Sequence, residues 1–214
     1  MTGPGHRVIA ATRNREKLRL MGSLLPPGYV LESLPAGIDV DEPYPVQGAD
    51  GEALTRIAVA KAVAASRLAG GEMSIATDGG LLFPGLAGWE PALTRRFAGA
   101  DASNTDRAVA LLERASGLEG NERRVAWREA VAVAERGRVV LSVTAESEPG
   151  WLATTLPGED IAGDGFWVPC LWLDAPGGLI HPGGGQGHWA RLAAIVQPFV
   201  HGLLCGEGRD ARGA

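Results

Sequence analysis

The order of elements at the start of the chain most constrains its fold. Residues 8–11 are small or β-branched, as in a buried strand, and they lead into the polar segment Thr12-Arg13-Asn14. Leucines then recur at helical spacing over residues 18–25, until Pro26 and Pro27 end the pattern. This order of strand, polar turn and helix is typical of α/β proteins.

The same patterns predict the remaining elements. Strands are expected at residues 29–34, 74–77, 124–134 and 139–144, and helices at 53–69, 103–115 and 188–204. The segment Asp78-Gly79-Gly80 is expected to end the strand at 74–77 in a turn, and residues 135–138 are expected to form a hairpin turn. Helices and strands alternate first and a hairpin follows, so we predict an α/β fold with a mixed sheet.

Composition limits the class of protein. At 214 residues the chain has room for a large core, and we predict a single domain over residues 1–205 with a flexible polar tail at 206–214. A net charge of −5 argues against binding to a nucleic-acid polymer. Two cysteines suit a reducing compartment, and no stretch approaches the ~20 apolar residues of a membrane span. The expected location is therefore cytoplasmic.

The first strand-to-helix turn carries the pattern Thr12-x-Asn14-x-x-Lys17. A hydroxyl, an amide and an ammonium at the N-terminus of a helix favour an anion such as phosphate. Asn14 is equally suited to be only a helix cap. Neither a Walker loop nor a GxGxxG fingerprint is present in the sequence.

Two further residues stand out in a chain with 18 arginines and only two lysines, Lys17 and Lys61. Lys61 lies in the Ala-rich helix predicted at 53–69, where a solvated surface position is the plain alternative. Asp78 follows a strand and precedes two glycines, a setting that suits Mg²⁺ contacted by phosphate oxygens. An ordinary turn aspartate is the alternative for Asp78.

Together these residues form an ordered set of motifs. The set is Thr12-x-Asn14-x-x-Lys17, Ala60-Lys61-Ala62, Ala76-x-Asp78-x-Gly80-Leu81, and Thr94-x-Arg96-Phe97. Its order and spacing resemble the Ham1-type inosine triphosphate pyrophosphatases, and the loop around Asp41 and Glu42 is similar to the related Maf pyrophosphatases. The resemblance implies an elongated mixed central sheet flanked by helices, in two lobes with an active-site cleft between them, and a possible homodimer.

The resemblance also implies an activity: Mg²⁺-dependent hydrolysis of a nucleoside triphosphate to a monophosphate and pyrophosphate. Lys17, Lys61 and Asp78 would be catalytic, with Asp78 in metal binding or water activation. The expected substrate-binding residues are Thr12, Asn14, Arg96 (with Arg95 as its alternative), Phe166, Trp167, His188 and Arg191. Trp167 would stack on the base.

Several positions depart from the family pattern. Arg56 stands where a metal-binding glutamate is usual, and Thr77 replaces one of two adjacent aspartates. We expect Glu42, with Asp41 beside it, to supply the second metal carboxylate from the loop.

At the base-reading end, Val168 replaces an aspartate and Trp189 replaces the arginine after His188. Arg191 is one candidate to compensate, and an apolar wall is the other. These changes predict a base preference altered from inosine or xanthosine triphosphate. Two alternatives stay open: another reaction on a nucleotide or phosphorylated metabolite in the same cleft, and a catalytically inactive relative that binds nucleotide.

Overall fold

A seven-stranded mixed sheet forms the centre of the molecule. The computed structural model describes residues 6–12, 14–34, 40, 51–158, 161, 167–181 and 184–205. The strands are β1 (His6–Ala10), β2 (Tyr29–Ser33), β3 (Ser74–Leu82), β4 (Arg124–Glu135), β5 (Arg138–Glu146), β6 (Gly150–Leu152) and β7 (Trp172–Leu173). The helices are α1 (Arg15–Gly22), α2 (Glu52–Leu68), α3 (Asn104–Arg114) and α4 (His188–Cys205).

The sheet combines a parallel and an antiparallel part, as predicted. Its order is β2-β1-β3-β4-β6-β7, and β5 also pairs with β4. β1 is parallel to both β2 and β3, whereas β4 is antiparallel to β3, β5 and β6. The predicted hairpin is confirmed, with its turn at Arg136 (φ 52°) and Gly137 (φ 69°).

Helices cover both faces of the sheet. On one face, Met21 of α1 and Leu192 of α4 pack with Ile75 and Val131. On the other face, α2 lays an Ala-rich surface against alanines of β3 and β4. A further core surrounds α3, β6 and β7. The expected mixed sheet flanked by helices is therefore confirmed.

One strand is longer than the sequence predicted. Asp78-Gly79-Gly80 does not end β3 in a turn, because antiparallel pairing with β4 continues to Leu82. The two glycines are needed for close approach. A Cβ on Gly79 would lie 1.8 Å from Glu129 Oε2, and one on Gly80 would lie 2.1 Å from the carbonyl oxygen of Pro91.

The N-terminus of α3 follows its sequence signal. Ser103 is the N-cap of this helix and forms a reciprocal capping box with Asp106. No helix in the described ranges is long and apolar enough to cross a membrane. The tail at 206–214 lies outside the described residues.

Candidate active site

The topology itself marks a position for a site. β1 leads through α1 to β2 on one side, and α2 leads to β3 on the other side of β1. α1 and α2 pack on opposite faces of the sheet. Ligands of open α/β sheets bind at such a switch point, beyond the carboxyl ends of the strands. The predicted phosphate residues lie on the elements that meet there.

At the end of β1, Asn14 caps α1. Its Oδ1 accepts hydrogen bonds from the backbone N–H groups of Glu16 (3.0 Å) and Lys17 (3.1 Å). The Thr12 hydroxyl oxygen in turn accepts from the Asn14 N–H at 3.2 Å. The capping role considered for Asn14 is thus observed, and Thr12 and Asn14 fix the start of the helix that carries Lys17.

Lys61 and Asp78 form a direct ion pair. Lys61 Nζ lies 3.1 Å from Asp78 Oδ1, and the two side chains are only 11% and 14% exposed. Small neighbours on α2, Ala58 and Ala62, allow the helix to approach the sheet. Lys61 is therefore not a solvated surface lysine, and the structure brings together two of the three predicted catalytic residues.

The third predicted residue, Lys17, is paired with a carboxylate that the sequence analysis missed. Its Nζ lies 3.8 Å from Glu129 Oε1. Glu129, on β4, is fully buried, and its Oε2 accepts a hydrogen bond from Trp127 Nε1 at 2.9 Å. A signal was present in the sequence, because Glu129 falls in phase with the inward residues Trp127 and Val131 of its strand.

The Glu129 carboxyl has a perturbed electrostatic environment. Burial raises its pKa, as does the negative charge of Asp78, whereas the Lys17 ammonium and the Trp127 indole lower it. The buried Thr77 hydroxyl is close enough to lower this pKa as well, yet the contact falls short of hydrogen-bond geometry. The charge of Asp78 thus acts on Glu129, and each of these two carboxylates is paired with one of the chain's two lysines.

These pairs approach the sheet from opposite faces. In the β3–β4 register, Gly79 faces Glu129 and Asp78 faces Ala130, so Asp78 and Glu129 project to opposite sides. Lys61 reaches Asp78 from α2, and Lys17 reaches Glu129 from α1. Two cations therefore converge on one stretch of β3 and β4.

Of the three predicted metal-binding carboxylates, the structure describes Asp78. Asp41 and Glu42 lie outside the described residues. Within the described part of the chain, no three His, Cys, Asp or Glu side chains group as a metal site. Arg56, where the family glutamate is usual, is exposed and lies 3.7 Å from Glu52 of its own helix.

At the predicted base end, aromatic side chains are packed rather than open. Trp167 is buried, with its ring centroid 6.2 Å from that of Phe97. Phe166 lies outside the described residues. Arg95 and Arg96 are both exposed, so their position does not decide between them.

A cavity of about 10 Å³ lies beside His188. It is lined by Trp127, Val168, Pro169, Trp172, Gly184, Gly185, Gln186, His188 and Trp189. Such a volume holds about one water molecule and no base. Burial lowers the pKa of His188 to about 4, and neither ring nitrogen completes a hydrogen bond to the described residues.

Trp189 and Arg191, which follow His188 on α4, differ in their surroundings. Trp189 is buried in the core between α1, α4 and the sheet. Arg191 pairs with Glu148 at 2.9 Å and donates to the carbonyl oxygen of Glu146. Its guanidinium is thus engaged by the β5 end of the sheet.

Comparison of the sequence with known protein families shows which family the chain belongs to. The sequence profile of the Ham1 family matches residues 8–168. The chain belongs to the Ham1 family. A dITP/XTP pyrophosphatase of Desulforamulus reducens is 32% identical over 138 residues, which cover 62% of this chain and 65% of that protein. The chain thus matches slightly less than two thirds of that relative's length.

Solved structures share the fold. A Ham1 protein from Staphylococcus aureus has a TM-score of 0.66 at 20% identity, covering 94% of this chain and 99% of that one. A HAM1 protein from Coxiella burnetii has a TM-score of 0.65 at 19% identity, with coverages of 89% and 98%. A nucleoside-triphosphatase / dITP/XTP pyrophosphatase from Mycobacterium abscessus has a TM-score of 0.61 at 21% identity, with coverages of 92% and 98%.

Proposed function

We propose that this Ham1-family chain hydrolyses a nucleoside triphosphate to a monophosphate and pyrophosphate. The observation that carries the proposal is the placement of Lys17 and Lys61, each paired with a carboxylate, on the two faces of one stretch of β3 and β4 beside the end of β1. Compact ammonium groups there suit a polyphosphate. The name of the Desulforamulus reducens relative, a dITP/XTP pyrophosphatase, supports the same reaction.

The reaction needs charge compensation and an oriented water. The oxygen of a water molecule bonds to the α-phosphorus while the bond from that phosphorus to the bridging oxygen breaks. Pyrophosphate leaves, and the proton that the water loses passes to the solvent. Lys17 and Lys61 offset the negative charge of the phosphates. Asp78, held by Lys61, orients the attacking water or takes part in metal binding.

We propose Mg²⁺ as the cofactor, with Asp78 as its carboxylate ligand among the described residues. This ion is commonly held by one or two carboxylates together with substrate phosphates and water, so it does not need a cluster of protein ligands. Asp78 would hold it, with Asp41 or Glu42 as the proposed second carboxylate. When bound, Mg²⁺ would polarise the phosphates and neutralise part of their charge.

We further propose that the base preference differs from that for inosine or xanthosine triphosphate. Trp189 is an uncharged, buried side chain, and the Arg191 guanidinium is paired with Glu148. A site built on aromatic side chains selects less by hydrogen bonds to the base edge. A different or modified base is the expected substrate.

The test is a panel of canonical, deaminated and modified nucleoside triphosphates incubated with Mg²⁺, with separate assays for pyrophosphate and orthophosphate. We expect pyrophosphate from at least one nucleotide, and a loss of at least about 100-fold in kcat/KM for Asp78→Asn. The matched control, Asp101→Asn, changes an exposed aspartate on the segment before α3 and should keep full activity. Orthophosphate alone, or silence across the panel, would overturn the proposal.

A further inference from the structure

Glu129 is a carboxylate whose burial calls for an explanation. Its side chain has no exposed surface, and Oε2 is held by the Trp127 indole at 2.9 Å. Oε1 completes no hydrogen bond to a described residue and has the Lys17 ammonium 3.8 Å away. A buried carboxylate is costly unless it is paired, and one neutral donor with one distant cation compensates it incompletely.

The glycine at position 79 leaves the space that the Glu129 carboxylate occupies. Gly79 lies opposite Glu129 in the β3–β4 ladder. A Cβ at Gly79 would lie 1.8 Å from Glu129 Oε2, 2.6 Å from Glu129 Cδ and 2.9 Å from Trp127 Nε1. The absence of a side chain at Gly79 therefore makes the space that the carboxylate and its indole partner share.

The burial of Glu129 limits what it can do. The Glu129 side chain, including its Oε1 atom, is shielded from solvent, whereas the Lys17 side chain is 21% exposed. The carboxylate is therefore shielded from an attacking water or a hydrated ion, and the ammonium is the more outward member of the pair. The side chain through which Glu129 can order a ligand is therefore Lys17.

We propose that Glu129 is a positioning residue that holds the Lys17 ammonium at the opening of the site, where its outer side meets a phosphate group. The Asn14 cap fixes the backbone of Lys17 and Glu129 fixes the tip of its side chain, so the lysine is restrained at both ends. An ammonium restrained before binding loses less conformational freedom when the phosphate arrives. This inference rests on the proposed function for the identity of the phosphate.

The first experiment uses the scarcity of lysine. The chain has two lysines, so amine labelling followed by mass spectrometry reports on each separately, and Lys61 serves as an internal control. In Glu129→Gln, which keeps the side-chain shape and an oxygen for the Trp127 indole, we expect labelling of Lys17 to accelerate several-fold. Labelling of Lys61, which is paired with Asp78, should stay within twofold. Unchanged labelling of Lys17 would overturn the proposal.

The second experiment measures binding of inorganic triphosphate by calorimetry in Mg²⁺ buffer, without any need for turnover. Glu129→Gln and Lys17→Met should each weaken binding about tenfold, and the double variant should be no weaker than either single variant. The matched control is Glu135→Gln, at the far end of the same strand, which should bind as the parent does.

Charge repulsion alone predicts the opposite change in triphosphate binding for Glu129→Gln, so the measurement distinguishes the two roles. Removal of a negative charge near a phosphate site should tighten binding if Glu129 acts only by repulsion. Tighter or unchanged binding in Glu129→Gln, or losses that multiply in the double variant, would overturn the proposal. Loss of nucleotide turnover in the parent protein, with these binding and labelling effects intact, would overturn the proposed function and leave the role of Glu129 standing.

Discussion

Lys61 Nζ lies 3.1 Å from Asp78 Oδ1, and this contact joins the middle of α2 to the middle of β3. Both side chains are nearly enclosed, so their attraction is screened less than that of a surface pair. The contact fixes a compact positive charge beside a carboxylate that keeps some exposure. Such a pair orders the local structure, and it is the centre of the site proposed above.

A lysine-to-arginine change at position 61 tests the need for a compact charge. The planar guanidinium is larger, and Lys61 is buried on a helix surface lined by Ala58 and Ala62. We expect Lys61→Arg to lower kcat/KM for pyrophosphate release by at least about 100-fold while the fold is retained. The measurement is steady-state kinetics with the best nucleotide of the panel.

The control for this change lies on the same helix. Arg56→Lys alters an exposed residue and keeps its positive charge opposite Glu52, so its kinetics should match the parent. Parent-like kinetics in Lys61→Arg would show that the site accepts any cation.

Gly79→Ala tests the space around Glu129. The new methyl group would overlap a carboxylate held by the Trp127 indole, so we expect a loss of about 1–3 kcal/mol in the free energy of unfolding. Urea denaturation measures it. Gly22→Ala is the control, because its Cβ meets nothing within 4 Å.

A second background identifies the cause of that loss. In a Glu129→Ala protein the obstructing carboxylate is gone, so Gly79→Ala should cost clearly less than in the parent. An equal loss of unfolding free energy for Gly79→Ala in the parent and in Glu129→Ala would show that the Glu129 carboxylate is not the cause of the strain.

How much the sequence could reveal depends on the range of the interactions. The order of the long elements follows from local periodicity, and the choice of Lys61 and Asp78 as candidate site residues follows from the resemblance. Asp78 was expected in a turn because its two glycines have the local preference for one, whereas pairing with β4 keeps them in the strand. Glu129 was missed because its meaning depends on Gly79 and Lys17, which contact it only after the sheet and α1 assemble. The strands β6 and β7, at three and two residues, are too short to show a period.

Arg123, which directly precedes β4, is buried and has a structural role. Its buried guanidinium donates to carbonyl oxygens of Ala115 (2.6 Å), Leu152 (2.9 Å), Leu118 (3.3 Å) and Ala153. We expect Arg123→Lys to lower the free energy of unfolding by about 2–4 kcal/mol, because an ammonium cannot reach four carbonyls in a fork.

Urea denaturation again measures the effect of Arg123→Lys. The neighbouring Arg124→Lys is its control, since Arg124 is exposed and lies 6.0 Å from the Trp151 ring. We expect a change below about 1 kcal/mol there. A similar cost at both positions would mean that the carbonyl contacts of Arg123 do not carry the stability.

His188 gives the protein a predictable response to acid. Burial lowers the pKa of its imidazole from 6.5 to about 4, so the folded state binds a proton less readily than the unfolded state. Stability should therefore be complete above pH 6.5 and should fall as the pH drops from about 6.5 to about 4, by up to about 3 kcal/mol from this group. His188→Gln removes the titrating group and should flatten this part of the stability profile, measured by urea denaturation at pH 7 and pH 5. His201→Gln, an exposed position on the same helix, should keep the parent profile. A steep acid loss that survives in His188→Gln would assign the effect to other groups.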